Sequence, residues 1–295
     1  MLNRETVIIY GMLNKLYMLL FSLSCSSIHY TSKARDMITT RLLLLPLLFL
    51  LPFTANAENV PPVTTLLGAG LWSHPAYDGA ETNQTTLIPT VRYYGQPWFA
   101  RTTFGMLEGG TRAVLLSGFT VGAQIAYEGG RESSESAFLT SHNVVTLNPS
   151  ASIGIHAELE KNIGPMPVIA LLRYRQDVDS NRGAQTDLRL IAGIYGGTQL
   201  NAGIFVQTTW ADAKAAQYYY GMSTQQAAST GLSTYNAQAG QLFNAAGLLW
   251  SFEVNKEWQL LGSLESRQLK ELALDSPLNQ TSFSHYSSLS LAYQF

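Results

Sequence analysis

Charge is what this sequence has least of: charged side chains make up 13% of its 295 residues, about half the share usual in a soluble globular domain. No excess of oil makes up the shortage, since hydrophobic residues stand at an ordinary 46%. The net charge is −2 and no cluster of Lys and Arg stands out. That excludes a nucleic-acid surface, because phosphate binding needs a concentrated basic face. One cysteine, Cys25, leaves neither a disulfide framework nor a Cys metal site. After Glu58 no apolar stretch is long enough for a membrane-spanning helix.

One apolar run does lie nearer the start. The segment "MITTRLLLLPLLFLLPFTANAENV" places Arg41 before an apolar stretch from Leu42 to Phe53 and ends on the small-residue site Ala55-Asn56-Ala57. That is the anatomy of a secretory signal. Pro46 and Pro52 interrupt it, and it is too short to span a bilayer. Residues 37–57 are therefore expected to be a cleavable signal peptide, with the mature chain beginning at Glu58. Residues 1–36 read as a gene-start extension upstream of a true start at Met37. The alternative is a lipoprotein signal ending at Cys25, for which Ser-Leu-Ser-Cys is a poor lipidation site.

What fills the mature chain is alternation with period two, the signature of strands with one apolar face. In "ASIGIHAELE", Ala151, Ile153, Ile155, Ala157 and Leu159 oppose Ser152, Gly154, His156, Glu158 and Glu160. Val121, Ala123, Ile125 and Tyr127 oppose Gly122, Gln124 and Glu128, and Val168, Ala170, Leu172 and Tyr174 oppose Arg173 and Arg175. Leu188, Leu190, Ala192 and Ile194 oppose Asp187 and Arg189. Farther on run a stripe of Leu242, Ala246, Leu248, Trp250, Phe252 and Val254, and another of Trp258, Leu260 and Leu264 opposite Glu265 and Arg267. Short turns and long polar loops alternate between them.

Two architectures accept many such strands. A sandwich buries the apolar faces between two sheets, whereas a membrane barrel turns them to lipid and keeps the polar faces in its lumen. The secretory signal, the strand length and the scarcity of charge favour the barrel. So do the strand-end aromatics Tyr93, Tyr94, Trp98, Tyr127, Trp210, Trp250 and Trp258, placed where an interface girdle would lie. Since lipid offers backbone groups no water, the sheet must close. The expected fold is all-β: an antiparallel transmembrane β-barrel of about 10–12 strands over residues 58–295.

The last strand, "SSLSLAYQF", sets Leu289, Leu291, Tyr293 and Phe295 on one side. This resembles the terminal assembly signal of bacterial outer-membrane barrels. Phe295, Tyr293 and Leu291 would then be read by the barrel assembly machinery during insertion into outer-membrane lipid.

Longer stretches resemble the MipA/OmpV family of outer-membrane proteins. "GAGLWSHPAYDGAETNQTTLIPTVRYYG" is similar to the family's opening strand, its Pro-x-Tyr-x-Gly turn (Pro75, Tyr77, Gly79) and its second strand around Pro89 and Tyr93. The Gly130-Arg131 step, the "YYYGMSTQQAASTGLSTYNAQAG" segment with Tyr235 to Gly240, and the Ser276-Pro277-Leu278 turn follow in family order, from about residue 64 to 295. The chain departs from the pattern in Tyr-Tyr-Gly-Met for Tyr-Phe-Gly-Val and in a Ser- and Glu-rich loop after Arg131. The resemblance implies a non-enzymatic scaffold in the outer membrane of a Gram-negative bacterium. It would bring a peptidoglycan hydrolase, a lytic transglycosylase, together with a peptidoglycan synthase, and need no cofactor.

The residues themselves leave two other functions open, a narrow channel for small solutes and an envelope lipid hydrolase. A hydrolase would need a nucleophile, a base and an orienting group. His156 shares a face with Glu158 and Glu160, yet same-face strand neighbours stand side by side rather than converge. His74 is the fourth histidine of the mature chain, His142 lies in a loop beside Asn143, and His285 falls among serines. Asp177, Asp179, Asn181 and Gly183 are spaced as in a calcium loop but lack its closing Glu, so no metal site is expected. The polar-face charges Glu158, Glu160, Arg173, Arg175, Asp187, Arg189, Glu265 and Arg267 carry both signs and should pair across a narrow lumen, which favours a scaffold or adhesin over a general porin. Only "AKAAQYYYGMSTQQAASTGLSTYNAQ" breaks the alternation. There a short helix is expected over Thr224 to Ser229, and Tyr218, Tyr219 and Tyr220 form a candidate partner surface or part of the girdle.

Overall fold

The computed structural model describes residues 65–103 and 105–295; the expected signal peptide and the upstream extension lie outside them. Twelve strands are found among these residues. The first six are β1 (Leu66–Pro75), β2 (Asn83–Tyr94), β3 (Trp98–Thr103), β4 (Met106–Leu116), β5 (Phe119–Glu128) and β6 (Ser150–Ile163). The rest are β7 (Met166–Asp177), β8 (Ala184–Gly196), β9 (Leu200–Ala211), β10 (Gly240–Glu253), β11 (Trp258–Leu269) and β12 (Phe283–Gln294). Each is antiparallel to its chain neighbours, and β1 closes on β12 from Leu66↔Gln294 to Ser73↔Ser287, making a closed barrel. Closure leaves Gly68 so near its neighbour that a Cβ would stand 2.0 Å from the Leu291 carbonyl oxygen, a distance only glycine tolerates.

The connections at 95–97, 117–118, 164–165, 197–199 and 254–257, all short, lie at the end where Leu66 meets Gln294. The loops 76–82, 129–149, 178–183, 212–239 and 270–282 lie at the other, as does the short β3–β4 turn. In outer-membrane barrels short turns are periplasmic and long loops extracellular.

Burial runs opposite to that of a soluble protein. Leu71, Leu87, Ile125, Ile153, Ile155 and Leu289 are exposed, while Gln124, His156, Arg173, Asp187, Arg189 and Glu265 are buried. The apolar stripes point away from the barrel axis and, among the described residues, meet no second sheet, so their solvent is lipid. A charge placed there is costly: Leu289→Arg, at mid-strand on the lipid face, is expected to lower stability by about 2–4 kcal/mol. Reversible urea unfolding in phospholipid vesicles measures this, and an unchanged midpoint would contradict the outward assignment.

Two residues leave the stripes the sequence put them in. A register shift between Gln241 and Phe243 turns Leu242 into the core of the loop-bearing end, where it is 4% exposed. Tyr94 pairs with Phe99 two residues beyond the inward Arg92, so it faces the lumen and stacks under Arg112 instead of joining the girdle. At the short-turn end Trp258, Tyr293 and Phe295 make an edge-to-face row with centroids 5.3 and 5.0 Å apart.

Four short helices cap the loop-bearing end: α1 (Ala137–Ser141), α2 (Ala213–Tyr220), α3 (Thr224–Thr230) and α4 (Glu271–Leu274). The expected helix is α3. Ser223 and Gln226 close a capping box at its start, and Gly231 ends it at φ 72°. Sequence reading missed α2, although Asp212 is its N-cap and accepts from the Ala215 N–H at 2.8 Å. Ala215, Ala216 and Tyr220 of α2 pack with Leu242, Leu269 and Leu272 into one apolar cluster; Leu139, Val144, Met222 and Leu278 form another.

Candidate functional site

The inward face of the barrel is its chemically dense surface. Arg101 on β3 bonds Glu108 on β4 and, through Nη1 at 2.6 Å, Glu158 on β6. Glu108 also accepts from Gln124 at 2.7 Å and from Arg173 on β7 at 2.8 Å. Arg173 donates to Asp187 on β8, and Asp187 accepts further from Thr209 at 2.9 Å and forms an ion pair with Arg175 at 3.3 Å. Arg175 in turn bonds Glu128 on β5. Bonds from β3 to β6 and from β4 to β7 skip strands, so they are chords across the lumen rather than ladders along its wall. A second group joins Arg267 to Glu265, Tyr286 and Asp78, bringing the β1–β2 loop onto β11 and β12.

Of the charges expected to pair across the interior, Glu158, Arg173 and Arg175 do so, with Arg101, Glu108 and Glu128; Asp187 pairs with Arg173 and Arg175 on the adjacent strand, and Glu265 with Arg267 two residues along its own. Arg189 donates to Gln207 at 2.6 Å, and Glu160 is exposed near the short turns. Arg101, Glu108, Glu128 and Asp78 were not among the expected partners. The alternation around Glu108 is broken by glycines and by a six-residue strand, and Asp78 lies in a turn. Asp78 is pushed above the usual carboxylate range by burial, which the Arg267 guanidinium partly offsets.

The four histidines of the described residues lie in four separate settings. His156 is buried and meets the Phe99 ring edge-on at 5.1 Å. His74 stacks on Trp72 at 3.9 Å and lies 3.3 Å from the Thr86 hydroxyl. His142 is 3.2 Å from Ser141, its own neighbour in sequence, but its Nδ1 also lies 2.9 Å from the Phe138 carbonyl. His285 points outward from β12. Asp177 and Asp179 spend carboxylate oxygens on the N–H groups of Asp179 and Asn181 in a hairpin tip. Among the described residues no three His, Cys, Asp or Glu side chains are gathered to hold a metal.

The tyrosine triplet lies on α2, at the loop-bearing end. Tyr220 is buried in the cap, Tyr219 lies edge-to-face with Tyr218 at 5.0 Å, and Arg182 stands 5.0 Å over the Tyr218 ring. Burial pushes the Tyr219 and Tyr220 hydroxyls well above the usual phenol range.

At the short-turn end the lumen opens into a vestibule of about 1030 Å³. Ile169, Leu171, Ile191, Leu249 and Leu261 line part of it, hydroxyls of Ser251, Ser263, Ser288 and Ser290 another, and the charges on its wall are Arg92, Arg101 and Arg189.

A family profile described as "MltA-interacting protein MipA" matches residues 67–295. No curated protein matches the chain. Among solved structures it is similar to an outer-membrane channel from Pseudomonas putida F1, at 10% identity over 83% of this chain and 100% of that one, with a TM-score of 0.48. It is also similar to the NanC porin, at 8% identity over 79% of this chain and 100% of that one, TM-score 0.42. An anion-selective porin from Comamonas acidovorans matches at 10% identity over 79% of this chain and 98% of that one, TM-score 0.36. The fold itself rests on this chain's own strand ladder.

Proposed function

The chain belongs to the MipA family of MltA-interacting proteins, and from that premise we propose that it is a platform holding a peptidoglycan hydrolase, a lytic transglycosylase, beside a peptidoglycan synthase. It is a barrel of the Gram-negative outer membrane, with an apolar outer face for lipid and short turns toward the periplasm. The observation that carries the platform reading is the layer of ion pairs chording the lumen from β3 to β8. Such cross-bracing holds the wall in one shape, which suits a docking body better than a conduit.

A cell-wall enzyme would meet the short-turn end, at turns such as 254–257. The helix bearing Tyr218, Tyr219 and Tyr220 faces the other way, so a partner engaged there would be an extracellular one. A photo-crosslinking residue at Lys256 should capture a lytic transglycosylase in cells, and one at Tyr218 should not. Capture of none from any short turn, with an unrelated barrel as control, would overturn the proposal.

A narrow channel is the second reading, favoured by the vestibule alone. The braced lumen leads us to expect no resolved single-channel step in a planar bilayer. A stable open level for the unaltered protein would favour the channel instead.

A further inference from the structure

The barrel wall is incompletely laddered at one place. β1 and β2 pair along the whole of β1, from Leu66↔Arg92 to Pro75↔Asn83. β2 and β3 pair only at Arg92↔Arg101, Tyr93↔Ala100 and Tyr94↔Phe99. Beyond Arg101 the two strands part; the Val91 N–H is met at 3.3 Å by the Thr102 hydroxyl instead of by a carbonyl. β3 ends at Thr103. Gly105, at φ 79°, lies so close to the lumen-facing Trp72 that a Cβ would stand 2.8 Å from the indole ring. Among the described residues the β2 segment 83–90 is thus left as an edge beside a wedge-shaped seam.

An unpaired edge facing hydrocarbon is costly, because its backbone groups find no partner there. Here the seam is wet from within. Ile88, Thr90 and Val91 on one side and Thr102 and Thr103 on the other all line the vestibule, so the cavity reaches the seam from both flanks. On the lipid side stand Pro89, which has no N–H to leave unpaired, and Leu87, 76% exposed. The seam therefore joins the acyl-chain region to the vestibule.

The vestibule has a sign as well as a shape. Its charged lining residues are all arginines. Arg101 is already held by Glu108 and Glu158, but Arg92 is exposed and, among the described residues, has no ion-pair partner. Arg112 stands 5.3 Å over the Tyr94 ring beside it. Across the cavity lie Leu171, Ile191 and Leu261. We propose that the vestibule binds a single-chain amphiphile with an anionic head, of the long-chain carboxylate class, which enters sideways through the β2–β3 seam. Its head would be held at Arg92, with the Arg112 charge behind the Tyr94 ring that lines the cavity beside it, and its chain laid against the apolar patch opposite. An anion gains charge-assisted hydrogen bonds from guanidinium groups, and the chain gains burial at about 25 cal/mol per Å².

The test uses nitroxide-labelled stearate with the protein in phospholipid nanodiscs, read by electron paramagnetic resonance. A saturable immobilised component is expected, displaced by oleate and not by methyl oleate or acetate. Arg92→Glu combined with Arg112→Glu should weaken it by about tenfold or more, with heat-modifiable gel migration retained as proof of folding. Equal displacement by oleate and its methyl ester, or an unchanged affinity in the folded double variant, would overturn the anionic head; displacement by acetate would reduce the site to a simple anion site. The route is tested separately. Val91→Cys and Thr102→Cys stand opposite one another as the next ladder pair, so their disulfide narrows the seam. Exchange of the probe should be slower when oxidised than after reduction, and equal rates would assign entry to the short-turn mouth and refute the seam.

Discussion

Replacing Asp187 by alanine is expected to lower the barrel's stability by about 3–5 kcal/mol, because it strands buried arginines without their counter-charge. Asp187 is 2% exposed, accepts from Arg173 and Thr209, and is ion-paired with Arg175. The same change at Asp179, whose side chain is 47% exposed and lies 3.6 Å from Arg182 in a hairpin tip, should cost about 1 kcal/mol or less. Urea unfolding of the two variants in lipid, followed by tryptophan fluorescence, separates them; similar losses would mean that the lumen is wetter than its packing implies. Removing the whole group is a different experiment. A variant replacing Arg173 and Asp187 with apolar residues of matched volume could recover much of the loss, since a buried pair returns little more than its desolvation cost.

Deleting Phe295 is the second change with a large expected effect. Its N–H reaches the Thr65 carbonyl at 3.0 Å and its ring meets Tyr293, but the side chain is 71% exposed. So exposed a ring contributes little to the finished barrel, and the truncated protein, once folded in detergent, should unfold near the parent midpoint. In cells the expectation reverses: most of the truncated chain should fail to insert, as an assembly signal requires. Fractionation of outer membranes, set beside the refolding midpoint, reads both halves. Normal insertion would remove the signal role, and a large drop in the midpoint would make the residue a structural clamp.

The barrel was legible in the sequence wherever lipid and lumen impose opposite demands on alternate residues. β5 to β8 and β11 to β12 show that contrast undiluted. It fails where the chain leaves the wall. In "WFARTTFGMLEGG" the strand lasts six residues and Phe99 is buried in the lumen, so the alternation misleads. One bulge was enough to move Leu242 from lipid to the loop core. The charges could be assigned to the polar face but not to each other, because Arg101 and Glu158 lie 57 residues apart and Glu108 and Arg173 lie 65 apart. Pairing at that range is set by barrel diameter and strand tilt, which no local window contains. The seam was hidden for the same reason: a missing ladder leaves no mark on composition.

The way β1 meets β12 has a temporal consequence. Eleven of the twelve junctions join strands adjacent in the chain, so hairpins can form locally and early. The twelfth brings Leu66 to Gln294, and nothing can seal the cylinder until synthesis has delivered both. Loop-closure entropy grows only slowly with length, about 0.6 kcal/mol per doubling, so the thermodynamic toll is small. The kinetic one is not, because contacts so remote in sequence slow folding. A nascent chain must therefore cross the periplasm with its two outermost strands still unpaired, and its sticky margins need an escort for the whole of that interval.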